Sequence, residues 1–266
     1  MTLREKAQLA ERAARASGEM LEHHAAHQIM KKSENDFVTE MDFKSEALIR
    51  DILLTACPED EFFGEEGGGA VKAVGRWIVD PIDGTVNFMR GHRSYTISIA
   101  YEHDGELVIG CVYSPGTDEL FLAVRGEGAT LNGKPIHVSD ISELRSSIVH
   151  IGLGHRNPEY LAETEQIFFP MMRKVSDIRR SGSAAFDLSY VAAGRAEAFI
   201  EQGLSLYDYA AGYVILTEAG GHMQGWHPWQ EPISTGCVLG GNGLINDALS
   251  EILNAPCAGA DGEPGA

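Results

Sequence analysis

Positive charge is what this 266-residue chain has least of: 21 Lys and Arg stand against 39 Asp and Glu, a formal net charge of -18. So acidic a surface repels polyanions, and nucleic-acid binding by phosphate neutralisation is not expected. A small phosphorylated substrate stays compatible if a cation sits in the site, and a metal ion is the natural supplier where basic residues are few. Paired cysteines are missing as well. Cys57, Cys111, Cys237 and Cys257 are scattered without CxxC spacing, which argues against a zinc site or a disulfide framework and for reduced thiols. Long apolar runs are also absent. The N-terminus MTLREKAQLAERAARAS alternates charge with alanine, and no stretch has the length needed to span a bilayer. The expectation is a cytoplasmic protein without a membrane partner.

What is there is ordinary globular material, 44% hydrophobic and 23% charged, enough for one large domain or two halves packed side by side. Leu3, Ala7, Ala10, Ala14, Leu21 and Ala25 recur at helical spacing and predict one helix from residue 3 to about 30. His23 and His27 lie four apart on it but lack a zincin glutamate, so they read as a solvated face. A second helix is expected from Asp42 to Ala56, ending before Cys57-Pro58. EFFGEEGGGA then gives a strand, two acids and a glycine run. That run lacks the Gly-Lys-Ser/Thr ending of a P-loop, so Gly67 to Gly69 read as a hinge. YTISIAYE, ELVIGCVYS, ELFLAVR and IHVS predict an antiparallel meander, with Cys111 as core filler. From about Ser146 strands and helices alternate, the pattern of an α/β layer set. Three regions are expected: 1–145 with the main acidic motifs, 146–254 completing the site, and a disordered tail over 255–266.

The stretch Gly75 to Phe88, GRWIVDPIDGTVNF, is central. Trp77, Ile78 and Val79 read as an interior strand that Pro81 ends, leaving Asp80 and Asp83 where strand gives way to loop. Asp-Gly is also a hairpin-turn signal, but turn chemistry accounts for Asp83-Gly84 and not for Asp80 or Thr85. The acids beside strand ends and loops are Asp42, Glu65, Glu66, Asp80, Asp83, Glu201 and Asp208. Taken singly, Asp208 also reads as a helix cap and Glu201 as a solvated strand end. Brought to one pocket, these carboxylates need cations to hold them. An oxygen-only donor set favours Mg²⁺, Mn²⁺ or Ca²⁺, and the backbone carbonyl of Ile82 is a further donor. Two such ions suit phosphoester hydrolysis. Ser183 lacks a G-x-S-x-G frame and a histidine partner, so it is not a hydrolase nucleophile. Asp80 and Asp83 are three apart, not the two of a haloacid dehalogenase, which argues against a phosphoaspartate.

GEE at Gly64 to Glu66, WIVDPIDGTVNF, and LYDYAAGYVILTEAGG at Leu206 to Gly221 together are similar to the paired signatures of the inositol monophosphatase family. The resemblance covers nearly the whole chain apart from the tail. It implies a layered α-β-α-β-α sandwich (α/β, α+β), a homodimer, and Mg²⁺-dependent hydrolysis of a small polyol phosphate, myo-inositol 1-phosphate first, by a metal-activated water. It further implies that Glu65, Asp80 and the Ile82 carbonyl hold one magnesium, that Asp80, Asp83 and Asp208 hold a second, and that Glu65 holds a weaker third. Glu66, the second acid of GEE, is counted with the metal-binding acids. Mn²⁺ is a possible substitute, and Ca²⁺ and Li⁺ are expected inhibitors. Glu65 and Thr85, supported by Asp42, would activate water, and Gly84 and Thr85 would donate backbone N–H groups to the phosphate. Gly182, Ser183, Ala184, Glu201 and Asp208 would meet the substrate, and Lys31 lies near a basic position of the family pattern. Tyr207 stands where the family usually has tryptophan. Sister enzymes acting on fructose 1,6-bisphosphate, histidinol phosphate or 3′-phosphoadenosine 5′-phosphate are the alternatives. Asn87-Phe88 is more like the inositol branch. A metal-binding regulatory scaffold is the non-enzymatic alternative.

Overall fold

The computed structural model describes residues 1–23, 29–33, 36–67, 74–153, 158–227 and 229–254. Thr2 and Glu5 exchange hydrogen bonds in a capping box that starts helix α1, Leu3–Glu22. It buries Leu9, Ala10, Ala13, Ala14 and Leu21 along one face. The helix stops at Glu22, short of the expected residue 30. Ile29–Ser33 (β1) instead pairs antiparallel with Asp36–Thr39 (β2), Lys31 opposite Phe37. Alanine spacing permits helix there, but the Phe37-Val38 strand offers a ladder partner, and tertiary pairing overrides local propensity. His27, Gly68, Gly69, Cys257 and the 255–266 tail fall outside the described residues.

Thr39 ends β2 and caps α2, Glu40–Ala56, in a second capping box closed by Asp42. Strand β3, Glu61–Gly64, runs parallel to β4, Gly75–Asp83. Pro81 does not end β4 as the sequence suggested. The ladder to the next strand is broken between Asp80↔Ser98 and Asp83↔Thr96 and then resumes, because a bulge accommodates a residue without an N–H. Nor does Asp83-Gly84 make a hairpin. Gly84, at φ 93°, leads into the short helix α3, Thr85–Met89. Strands β5 (Thr96–His103), β6 (Glu106–Ser114), β7 (Glu119–Val124), β8 (Gly128–Leu131) and β9 (Lys134–Ile136) form an antiparallel meander; YTISIAYE, ELVIGCVYS and ELFLAVR fall on its first three strands, whereas β8 lies outside the expected strands and IHVS contributes only Ile136, to β9. The sheet is seven-stranded, ordered β3-β4-β5-β6-β7-β8-β9.

The alternating part follows with β10 (Ile148–Ile151), α4 (Pro158–Met172), β11 (Asp177–Arg179), α5 (Ala184–Ala192), β12 (Ala198–Glu201), α6 (Leu206–Glu218), β13 (His222–Gln224), α7 (Pro232–Thr235), β14 (Val238–Gly241) and α8 (Asn246–Leu253). Its sheet is five-stranded, ordered β11-β10-β12-β14-β13, parallel at β11-β10-β12 and antiparallel beyond.

Three apolar layers bind the elements into the α-β-α-β-α sandwich. α1 and α2 cover the seven-stranded sheet through Leu9, Ala13, Ile49, Leu53, Trp77, Ile99 and Ile109. α5 and α6 fill the space between the sheets, where Leu188, Ala211, Val214 and Ile215 pack with Ile78, Val112, Phe121, Phe199 and Val238. On the far side, Ile167 and Met171 of α4 and Leu249 and Ile252 of α8 meet Val149, Ile200 and Leu239. Gly110 lets α6 approach closely, since a Cβ there would lie 2.3 Å from the Ala211 carbonyl oxygen. Among the described residues no helix is long and apolar enough to cross a membrane.

Candidate functional site

The Glu65 amide donates to the Val79 carbonyl at 3.2 Å, which carries the parallel β3–β4 pairing one residue further and delivers Glu65 beside Asp80. The next amide, of Glu66, donates to Oε2 of Glu46 at 2.8 Å, and Arg50 holds the other Glu46 oxygen at 3.1 Å. A Cβ at Gly67 would meet Arg50 Nη2 at 2.4 Å, so a side chain there would displace the end of Arg50.

On β4, Asp80 Oδ1 accepts from the Ile82 amide at 3.0 Å, a local bond across the bulge. The Thr85 hydroxyl lies 3.1 Å from the Ile82 carbonyl oxygen and 3.2 Å from Asp42 Oδ1. The other Asp42 oxygen accepts from the Thr39 amide and hydroxyl, both at 2.7 Å. Asp42 is therefore fixed from behind and turns one oxygen toward Thr85. Asp83 Oδ2 accepts from the Ser183 hydroxyl and the Ala185 amide at 2.7 Å each, which ties β4 to the start of α5. Asn87 strengthens that junction, its amide donating to the carbonyls of Ser94 at 2.6 Å and Ser181 at 2.8 Å.

The second sheet brings up the remaining acids. Asp208, in the first turn of α6, caps the helix by accepting from the Ser205 amide at 2.6 Å. It is a cap and a cavity residue at once. Glu201 ends β12, and Gly152 leaves space for it, since a Cβ there would fall 1.8 Å from Glu201 Cδ.

These elements enclose one cavity of about 310 Å³ bordered by Glu65, Asp80, Ile82, Asp83, Gly84, Thr85, Gly182, Ala184, Glu201 and Asp208. Asp42 and Ser183 stand behind it, fully buried or nearly so, and act through Thr85 and Asp83. Glu66 does not border the cavity. Lys31 lies on β1. Tyr207 packs near Phe63, ring centroids 6.2 Å apart, and its backbone carbonyl accepts from Ser98. Cys111 is buried and its thiol is pushed far up by burial, as befits a core residue.

Several lining residues carried no signal strong enough to be picked from sequence. They include Asp187, Arg180, Tyr160 and Gly152. For Asp187 the available cue was a lone acid in the otherwise apolar run SAAFDLSYVAA.

Electrostatically the cavity is lopsided. Glu65, Asp80, Asp83, Asp187, Glu201 and Asp208 face Arg180, the one basic side chain among the described lining residues. Burial, then the charges of Glu65, Asp83, Asp208 and Asp42, push Asp80 well above the ordinary aspartate range. Asp208 is raised likewise, by burial first and Asp83 next. Asp83 is raised to about 7, burial outweighing its bonds from Ser183 and Ala185. Burial also raises Asp42 against the bonds from Thr39. Buried like charges of this kind are held by protons or by cations. As placed, no three His, Cys, Asp or Glu side chains among the described residues are drawn tightly enough to hold an ion. The donor chemistry nonetheless fits a hard divalent cation, being all oxygen and rich in carboxylate.

An acid-rich cavity between the two sheets of a five-layer sandwich defines a class of proteins whose donor chemistry suits hard cations. The chain belongs to the inositol monophosphatase family, whose description matches residues 2–255. It is 40% identical over 236 residues to the inositol-1-monophosphatase of Rhizobium meliloti (strain 1021), covering 86% of this chain and 87% of that one. It is also 40% identical over 219 residues to the Nus factor SuhB of Vibrio cholerae serotype O1, covering 80% and 82%. The crystal structure of the extragenic suppressor protein suhB from Bartonella henselae superposes with a TM-score of 0.91 at 34% identity, covering 94% of this chain and 99% of that one.

Proposed function

We propose that this protein is a Mg²⁺-dependent phosphomonoesterase acting on a small polyol phosphate, with myo-inositol 1-phosphate as the leading substrate. One observation carries the reading: Glu65, Asp80, Asp83 and Asp208 border a single cavity together with Thr85, whose hydroxyl is within reach of Asp42. The name of the Rhizobium meliloti relative supports it. Glu65, Asp80 and the Ile82 carbonyl would hold one ion, Asp80, Asp83 and Asp208 a second, and Glu65 a weaker third. Mn²⁺ would substitute, and Ca²⁺ and Li⁺ would inhibit. When bound, the ions supply positive charge against the phosphate and ease the ionisation of water.

The chain's own groups do the rest. Thr39 anchors Asp42, Asp42 accepts a hydrogen bond from the Thr85 hydroxyl, and the Thr85 oxygen keeps lone pairs for an attacking water. Glu65 accepts that water's proton as its oxygen bonds phosphorus, the ester P–O bond breaks, and the departing polyol oxygen takes a proton from solvent. First-turn amides of a helix lack intrahelical acceptors, so those of Gly84 and Thr85 are placed to receive phosphate oxygens. Ser183 keeps Asp83 oriented, Gly182 and Ala184 leave room for the substrate, and Glu201 accepts a polyol hydroxyl. Glu66 contributes its amide to the turn that carries Glu65. A cytoplasmic homodimer is the proposed state.

The Nus factor name of the Vibrio cholerae relative favours a second reading, a metal-binding regulatory scaffold without turnover. Phosphate release from myo-inositol 1-phosphate, fructose 1,6-bisphosphate, histidinol phosphate and 3′-phosphoadenosine 5′-phosphate, with and without Mg²⁺, separates the two. Metal-dependent release, fastest on the inositol ester, is expected. No release from any of the four would leave the scaffold.

A further inference from the structure

We propose that Asp187, held in place by His150, is a specificity-determining residue whose free carboxylate oxygen accepts a hydroxyl of a polyol monophosphate. The proposal rests on the phosphomonoesterase reading.

Asp187 sits in the first turn of α5, is 2% exposed, and borders the cavity. Its Oδ1 is hydrogen-bonded to Nδ1 of His150 on β10, a residue itself 6% exposed. The bond to His150 engages Oδ1, and no hydrogen bond to Oδ2 is seen among the described residues. The carboxylate is thus gripped from behind by a buried imidazole and open in front to the cavity. A nearly buried carboxylate oxygen left unbonded costs desolvation energy that a hydroxyl donor recovers.

The surroundings select the donor. Gly152, Gly182 and Ala184 line the same cavity and leave width for a ring. Glu201 adds a second acceptor, so two carboxylates outside the magnesium set meet a single arginine, Arg180. A neutral polyol bearing several hydroxyls satisfies both acids. A second phosphate on the substrate meets repulsion from both, which places bisphosphates behind monophosphates. His150 touches Asp187 and does not border the cavity, so it is a positioning residue that acts through the aspartate.

The test compares myo-inositol 1-phosphate with phenyl phosphate, which has no hydroxyls to offer. Asp187→Ala is expected to raise KM for the inositol ester about tenfold or more, the loss of one charged acceptor, with kcat and both constants for phenyl phosphate within about twofold of wild type. His150→Phe follows in the same direction, and His150→Gln, which keeps a donor, stays near wild type. Should Asp187→Ala fail to fold, Asp187→Asn gives a smaller shift confined to the inositol ester. Equal losses on both substrates, no change on either, or a weakened Mg²⁺ affinity in calorimetric titration would overturn the proposal. If wild type hydrolyses neither ester with Mg²⁺, the phosphatase reading fails, and calorimetry of myo-inositol in the presence of inorganic phosphate decides Asp187 alone. Binding by wild type that Asp187→Ala abolishes supports the role; equal binding, or none to wild type, ends it.

Discussion

The two walls of the cavity are built differently. The wall from the seven-stranded sheet packs Glu65, Asp80, Asp83 and Thr85 into two short stretches, with Asp80 held by the nearby Ile82 amide, Thr85 by Ile82 and Asp42, and Asp83 by Ser183 and Ala185 at the start of α5. The wall from the five-stranded sheet is assembled from separate elements: Gly152 after β10, Asp187 on α5, Glu201 on β12 and Asp208 on α6. The first is the wall to which the cations are assigned in the proposed function. The second carries the residues assigned to the substrate. Asp208 is the bridge, since it comes from the second wall yet shares its charge with Asp83 and Glu65. Damage to the first wall should therefore appear in kcat, and damage to the second in KM and substrate preference.

The largest effect is expected at Glu65. Glu65→Gln keeps the fold by circular dichroism and loses at least about a hundredfold in Mg²⁺-dependent kcat, the usual worth of a positioned general base; an unchanged rate would remove Glu65 from the chemistry. Thr85→Ala comes next, with a loss of about tenfold to a hundredfold in kcat, while Thr85→Ser stays close to wild type because the hydroxyl is what Asp42 holds. On the other wall, Glu201→Gln should raise KM for myo-inositol 1-phosphate about fivefold and leave phenyl phosphate untouched, a split that breaks the comparison if both substrates respond.

The smallest effect is thermodynamic. Asp83 titrates near 7 in the folded chain against an ordinary 3.8, so the fold binds that proton more tightly than the unfolded chain does. Its contribution is complete below the ordinary value and is lost as pH rises toward the folded one. The metal-free protein should therefore melt a few degrees lower at about pH 8 than at about pH 5. On the proposed reading Mg²⁺ would replace the protons and should protect more at the higher pH. Equal protection at both would contradict the carboxylate account.

What was legible in the sequence follows the same division. The first wall is local: WIVDPIDGT, GEE and the DFVTEMD cap are short windows, so spacing brought out Asp80, Asp83, Glu65 and Asp42 as candidates, and the resemblance to the inositol monophosphatase family joined them in one site. The period-2 strands of the meander were readable for the same reason. The bulge at Pro81 was not, because a proline reads as a strand end until a partner such as Thr96 resumes the ladder beyond it. The end of α1 was missed because β1 exists only through β2. Asp187 and Arg180 were invisible as site residues. Each looks like ordinary helix-start or strand-end chemistry until the two sheets are stacked. Asp208, by contrast, was found through its motif, although its cap role would by itself have hidden it.

The most direct test of the central claim, that the first wall holds the cations, is calorimetric titration of Mg²⁺ into the wild-type protein and the Asp80→Asn/Asp83→Asn double variant at neutral pH. Saturable binding to wild type, lost in a folded double variant, is the predicted result. Equal binding to both proteins would contradict it.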